Sequence, residues 1–362
     1  MLEDNLKSNL SFSELLQGRL ITETKDVSLS RVELDQIKFI FEDHFKLSVK
    51  FKSDKLKNIT LIDRNFLYDS FQFSYEDKTY LLKIGDEEDN YLFKREFDCL
   101  KKIEECQLSP KPIANGVGKD YSFIITSYEF GQSIKELGKP HLLEHLSTFA
   151  SVLNTLHSNK EENSDLNLFL DLCFSQGSFE EILSEDLLNE LKQVKNFKES
   201  QSILKELETV IKMQIKSFSD SNISRCHMNL MESNILMRGP MIKFINFDKN
   251  FCLNPLWDLA MTSIYLDFVS FPKIESKFLM YYSKEDYDHN CEALPAYKDV
   301  CFKICLHNLI CSYYFKIITK VNDHDTYKMY KLYETIRPFV HNEFPVFLEV
   351  LDEMFGDFQK NL

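Results

Sequence analysis

The chain opens in mixed polar sequence and takes on its first regular pattern at Ser28–Phe45. There Val32, Leu34, Ile37, Phe39, Ile40 and Phe41 recur at three- and four-residue spacing behind Ser30, a residue suited to an N-cap. That spacing predicts a helix. From Leu47 to Ile84 the period shortens toward two. Leu67–Ser74 alternates in part, Tyr75-Glu76-Asp77-Lys78 supplies a turn, and Thr79–Ile84 is a second apolar strand, so a β-hairpin is expected. A helix over Asn90–Cys106 follows, with Phe93, Phe97, Leu100 and Ile103 on one face. Pro110 and Pro112 end it, and Tyr121–Tyr128 reads as a compact buried strand. Beyond Gly138 the pattern is mostly helical: His141–Leu156, two or three helices within Phe179–Phe218, and nearly everything after Trp257. Two short strand-like segments, Asn234–Met237 and Met241–Phe247, interrupt it.

Strands with one helix, followed by a long helical stretch, predict an α+β chain of two lobes. The expected division is a helical extension over 1–50, a small β-rich N-lobe over 51–130 (antiparallel sheet plus one helix) and a larger, mainly helical C-lobe over 131–362. The hinge falls near Tyr128–Gly131. A hydrophobic fraction of 44% is enough for a substantial core.

Charge and cysteine narrow the setting. The formal net charge of -14 argues against a general nucleic-acid binder, which needs a basic face to displace counterions, and suits small cationic partners. Nine cysteines, odd in number and without a CxxC pair, read as free thiols in a reducing compartment. The first residues, MLEDNLKSNLSF, lack a basic segment followed by an apolar one. The most apolar long stretch, Val300–Val321, carries Lys303, His307, Lys316 and Lys320. A cytoplasmic protein with no membrane partner is the expectation.

Four local patterns then fall in one order. Lys83 closes the apolar strand LLKIG. Glu96 lies thirteen residues later in a helix, FKREFDCL. The segment CHMNLMESNIL places His227, Asn229 and Asn234 before an apolar strand. FINFD, with Asn246 and Asp248, begins fifteen residues beyond Asn229 and is followed by PLWDLA, with Asp258. Taken singly, each has a plain structural reading: an edge lysine, a surface glutamate, polar loop residues.

Taken in order, they resemble the protein-kinase-like phosphotransferases of the aminoglycoside phosphotransferase and choline kinase group. In that group a catalytic loop H-G-D-x-x-x-x-N precedes a short strand, and a metal loop I-D-[FW]-[ED] follows it. The resemblance covers roughly residues 55 to 330 and implies a bilobal kinase-like fold. It implies that Lys83 and Glu96 serve the nucleotide phosphates, that Asn229 stands at the catalytic-base position, and that Asn234 and Asn246 stand at the metal-ligand positions. His227 and Asp258 are implied to be scaffold, Asp258 by bonding backbone around the catalytic loop.

The sequence departs from the group where charge is needed. Phosphoryl transfer is mostly positioning plus charge neutralisation, and Mg²⁺ wants hard, preferably anionic oxygen ligands. Asn229 cannot take up a proton at neutral pH, and the carbonyl of Asn246 neutralises none of a metal's charge. The phosphate loop corresponds to Leu61–Tyr68, LIDRNFLY. It holds none of the chain's nine glycines, so bulky Phe66 and Tyr68 stand where backbone N–H groups normally approach phosphate. Asp248, two residues after Asn246, is the candidate substitute ligand, although two residues of strand move a side chain by about 7 Å. The reading is a catalytically impaired pseudokinase that binds a nucleotide or a protein partner, with ATP as candidate ligand and Mg²⁺ disfavoured. The alternative is an active ATP-dependent phosphotransferase with displaced groups, acting on an aminoglycoside, choline or another amino alcohol.

Overall fold

A computed structural model describes residues 37, 39–41, 56–64, 68–87, 90–118, 121–174, 179, 185–194, 196–218, 222–319 and 324–360. These form two compact units. One holds 37–159 together with 232–250; the other holds 160–231 and 251–360.

The first unit is built on a five-stranded antiparallel sheet: β1 (Leu56–Arg64), β2 (Tyr68–Tyr75), β3 (Lys78–Gly85), β4 (Pro112–Val117) and β5 (Ser122–Ser127), in the order β1-β2-β3-β5-β4. The expected hairpin is β2–β3, closed by Glu76 and Asp77, both in the left-handed region at φ 47° and 64°. A two-residue turn that follows the right-handed twist of its strands needs that conformation twice, and glycine or asparagine usually supplies it. This glycine-poor chain uses two acidic residues instead.

Side chains alternate across a strand, so register decides which residues share a face. Phe71, Phe73, Tyr75, Tyr80, Leu82, Phe123 and Ile125 form one face. Ile37, Ile40 and Phe41, from the segment predicted to be helical, are packed on it without exposure. Residues 37 and 39–41 are helical, and Phe41 meets Phe73 edge-on at 4.5 Å; the rest of the predicted 28–45 helix lies outside the described residues. On the opposite face Ser70, Lys83 and Ile124 stand in line across β2, β3 and β5. Burying so many rings on one face commits the polar set, Lys83 included, to the other.

Helix α1 (Asn90–Lys102) turns Leu92, Phe93, Glu96, Phe97, Cys99 and Leu100 inward. It ends earlier than the expected Cys106. Glu104–Cys106 is a 3₁₀ turn closed by Gln107 in the left-handed conformation, three residues ahead of Pro110. The short strands Gln132–Ser133, Ile235–Arg238 and Met241–Phe244 make a second, three-stranded sheet in this unit, matching the two strand-like segments expected there. Helix Leu146–His157 lies beside it, with Phe149 edge-on to Phe244 at 5.9 Å.

The second unit is helical apart from the pair Ser224–Cys226 and Phe251–Leu253. Its core is aromatic: Trp257 meets Phe169, Phe218 and Tyr297 at 5.3–5.6 Å. Among the described residues, no helix is long and apolar enough to cross a membrane. The buried thiols of this core are held protonated: burial pushes Cys252 up to about 11 and Cys305 up to about 12.

His307, on helix Tyr287–Thr319, is also fully enclosed, with Cys311 Sγ 3.8 Å from Nδ1 and the Phe174 ring 5.5 Å away. Burial pushes its pKa down to about 4, against smaller upward contributions from the Asn308 side chain and Glu208. The unfolded chain takes up this proton near pH 6.5 and the folded chain only near pH 4, so stability is full above 6.5 and falls as pH drops through that window. The expected loss is about 3 kcal/mol. Urea midpoints measured from pH 7 to pH 4 should fall more steeply for the native chain than for His307→Leu, and parallel curves would contradict the assignment.

Candidate functional site

Lys83 stands two residues from the end of β3, on the polar face, and Glu96 is on the inward side of α1. Lys83 Nζ lies 2.9 Å from both Glu96 carboxylate oxygens, and the two residues are 2% and 3% exposed. A buried pair needs such two-point geometry, because each charge has given up its hydration. Burial alone would lower the lysine's pKa. The Glu96 carboxylate, with Tyr68 and Asp248 beyond it, outweighs burial and raises it, so the ammonium stays charged.

The segment Asn246–Asn250 closes the other side. Asn246 sits in the left-handed region at φ 61° and opens a single 3₁₀ turn, Phe247–Lys249. That turn brings the Phe247 backbone N–H to Glu96 and the Asp248 charge close to both members of the pair. Arg95, the neighbour of Glu96 on α1, donates to the Asn250 carbonyl. The helix is therefore tied to this loop at adjacent residues. Neither tie had a sequence signal: an arginine beside a glutamate on a helix reads as surface, and a backbone donor has no side-chain pattern at all.

The two positions that the resemblance marks for metal ligands meet each other. Asn246 Nδ2 donates to Asn234 Oδ1 at 2.8 Å, joining the loop after one strand of the small sheet to the turn before another. Asp248 Oδ1 accepts the Lys249 N–H at 3.1 Å, and Oδ2 faces the Tyr68 hydroxyl at 3.4 Å. This donor set does not fit Mg²⁺. The two amides bring no negative charge, the Asn234 side-chain oxygen already accepts a hydrogen bond, and the Asp248 carboxylate is engaged by a hydroxyl and a backbone N–H.

Tyr68, the first residue of β2, is the member that sequence reasoning placed only as an obstruction. Its ring lies over the Lys83 ammonium at 4.8 Å and beside Phe93 at 5.8 Å, and the residue is 8% exposed. Phe66 and the middle of the glycine-free loop lie outside the described residues.

The remaining candidate, Asn229, belongs to the second unit. The loop after strand Ser224–Cys226 is organised by Asp258, which enters on the first turn of helix Pro255–Tyr265 and is fully buried. Asp258 Oδ2 accepts the His227 N–H at 2.7 Å and Oδ1 accepts the Met228 N–H at 2.9 Å; Met228 is held at φ 59°. His227 Nδ1 in turn accepts the Asn229 N–H at 3.3 Å. The carboxylate thus fixes the backbone that presents Asn229, the anchoring role that the resemblance implied for Asp258. The ordered loop carries a buried amide at this position.

No family model matches the sequence, and no curated protein matches it. Solved structures do match. An ethanolamine kinase of Plasmodium vivax superposes with a TM-score of 0.60 at 17% identity, covering 87% of this chain and 90% of its own. Choline kinase LicA from Streptococcus pneumoniae gives 0.55 at 15%, covering 83% and 99%. A thermostable mutant of aminoglycoside phosphotransferase APH(4)-Ia, in ternary complex with ADP and hygromycin B, gives 0.53 at 10%, covering 83% and 97%. The chain has the choline kinase- and aminoglycoside phosphotransferase-like, protein-kinase-like fold, with a β-sheet N-terminal region and a helical C-terminal region.

Proposed function

We propose that this kinase-fold chain is a catalytically impaired phosphotransferase, a pseudokinase that acts by binding a nucleotide or a protein partner. The observation that carries the reading is the hydrogen bond from the Asn246 side-chain amide to Asn234 Oδ1, which turns the two positions that the resemblance marks for metal ligands toward each other. Asn229 points the same way. Its loop is held in order by Asp258 while the side chain lacks a group that accepts a proton. The intact Lys83–Glu96 pair keeps ATP as the candidate ligand, and the ADP complex of a structural neighbour makes ATP plausible.

One observation favours the alternative, an active small-molecule phosphotransferase. Asp248 lies close enough to Lys83 and Glu96 to act on both, where a displaced metal ligand would be needed. The structural neighbours, an ethanolamine kinase, a choline kinase and an aminoglycoside phosphotransferase in complex with hygromycin B, make an amino alcohol or aminoglycoside the acceptor in that case.

Thermal-shift titration with ATP separates the readings. The pseudokinase is expected to show the same shift with and without Mg²⁺, or no shift where its partner is a protein. A shift that requires Mg²⁺ and disappears in Asp248→Ala would support the displaced-ligand enzyme instead.

A further inference from the structure

Lys83 has two carboxylates, Glu96 and Asp248, and one aromatic ring arranged about it, and the ring belongs to the first residue of β2. Tyr68 pairs with Gly85 at the very end of the β2–β3 ladder. Gly85 has no side chain of its own, and pairing from Asp69 onward does not depend on the Tyr68 side chain. Among the contacts that hold the ring inward are the Lys83 ammonium at 4.8 Å, Phe93 at 5.8 Å and, through the hydroxyl, Asp248 Oδ2 at 3.4 Å. The hydroxyl contact is long for an O–H···O bond and the ring contact supplies no directed acceptor to the ammonium, so a phosphate oxygen can take the place of both. Phosphate oxygens would be a better ligand for the ammonium, but they would also meet the Glu96 and Asp248 charges.

We infer that Tyr68 is a built-in gate: in the resting protein its ring and hydroxyl occupy the approach to Lys83, and a phosphate-bearing ligand reaches that ammonium only after the side chain has swung out. The inference rests on the proposed reading of Lys83 as the lysine that faces nucleotide phosphates. The gate makes the closed site selective. It leaves the ion pair with Glu96 formed while excluding anions that cannot displace the ring.

The test compares the native chain with Tyr68→Ala and Tyr68→Phe, using ATP without divalent metal as probe. Tyr68→Ala is expected to bind ATP at least about tenfold more tightly and Tyr68→Phe, which keeps the ring and loses the hydroxyl, about threefold more tightly. An ATP acyl-phosphate reporter, read by peptide mass spectrometry, should label Lys83 in the alanine variant about tenfold above the native chain, with free ATP competing. Tyr68→Phe retains the packing on Phe93, so its result stands even where the alanine variant does not fold. Unchanged affinity in Tyr68→Phe, or labelling of Lys83 in the native chain equal to that in Tyr68→Ala, overturns the gate. Either result leaves the pseudokinase reading standing. Phosphate transfer by Tyr68→Ala would instead overturn that reading and leave the gate in place.

Discussion

Replacing Lys83 by methionine is expected to cost about 3–5 kcal/mol of folding stability, far more than removal of an active-site lysine from an open cleft. The lysine is buried and bonded at 2.9 Å to both oxygens of a glutamate that is equally buried. Removing it leaves Glu96 enclosed beside Asp248, a carboxylate without its cation and with a like charge nearby. The partner controls the size of the effect. Removing both charges, as in Lys83→Met with Glu96→Leu, deletes the uncompensated ion as well, and the double variant should recover most of the loss. Urea unfolding of the single and double variants at pH 7 measures both. A double variant as unstable as Lys83→Met would show that packing, and not the stranded carboxylate, sets the cost.

A comparable loss is expected for Asp258→Ala. The carboxylate satisfies two backbone N–H groups, of His227 and Met228, in a place without solvent access, and Met228 occupies a left-handed conformation that its own side chain does not favour. Each orphaned donor costs about 1–3 kcal/mol, so the pair gives about 2–6 kcal/mol. Asp258→Asn keeps one acceptor and should lose about half as much. Denaturant unfolding gives the totals, and hydrogen exchange at the His227 and Met228 amides localises them. A loss below about 1 kcal/mol in the alanine variant would mean that the loop finds other acceptors.

What the sequence made legible and what it hid divide by range. The β2–β3 hairpin was readable because its signal is local: two apolar runs around an acidic turn. Lys83, Glu96, Asn234 and Asn246 were singled out by the resemblance that the order of the motifs carries, and the structure brings Lys83 to Glu96 and Asn246 to Asn234. The Tyr68–Asp248 contact was not readable, since 180 residues separate its partners and neither has a pattern that announces the other. The same holds for Arg95 and the Asn250 carbonyl. The change from α1 to the 3₁₀ turn Glu104–Cys106 had no sequence signal, because Gln107, which closes that turn, is not a residue that normally marks a left-handed cap. Loss of charge at Asn229 and Asn246 could be read from the sequence. That the Asn246 amide would bond Asn234 required three dimensions.

On the proposed function, the Asn246–Asn234 hydrogen bond belongs to a kinase-shaped chain that transfers no phosphate. Radiolabelled γ-phosphate can be followed from ATP with Mg²⁺, offering water, ethanolamine, choline and an aminoglycoside in turn as acceptors. Label release and acceptor labelling are expected to stay at the level of a protein-free control for every acceptor. Transfer to any of them above that control, lost on Lys83→Arg, would contradict the proposed function.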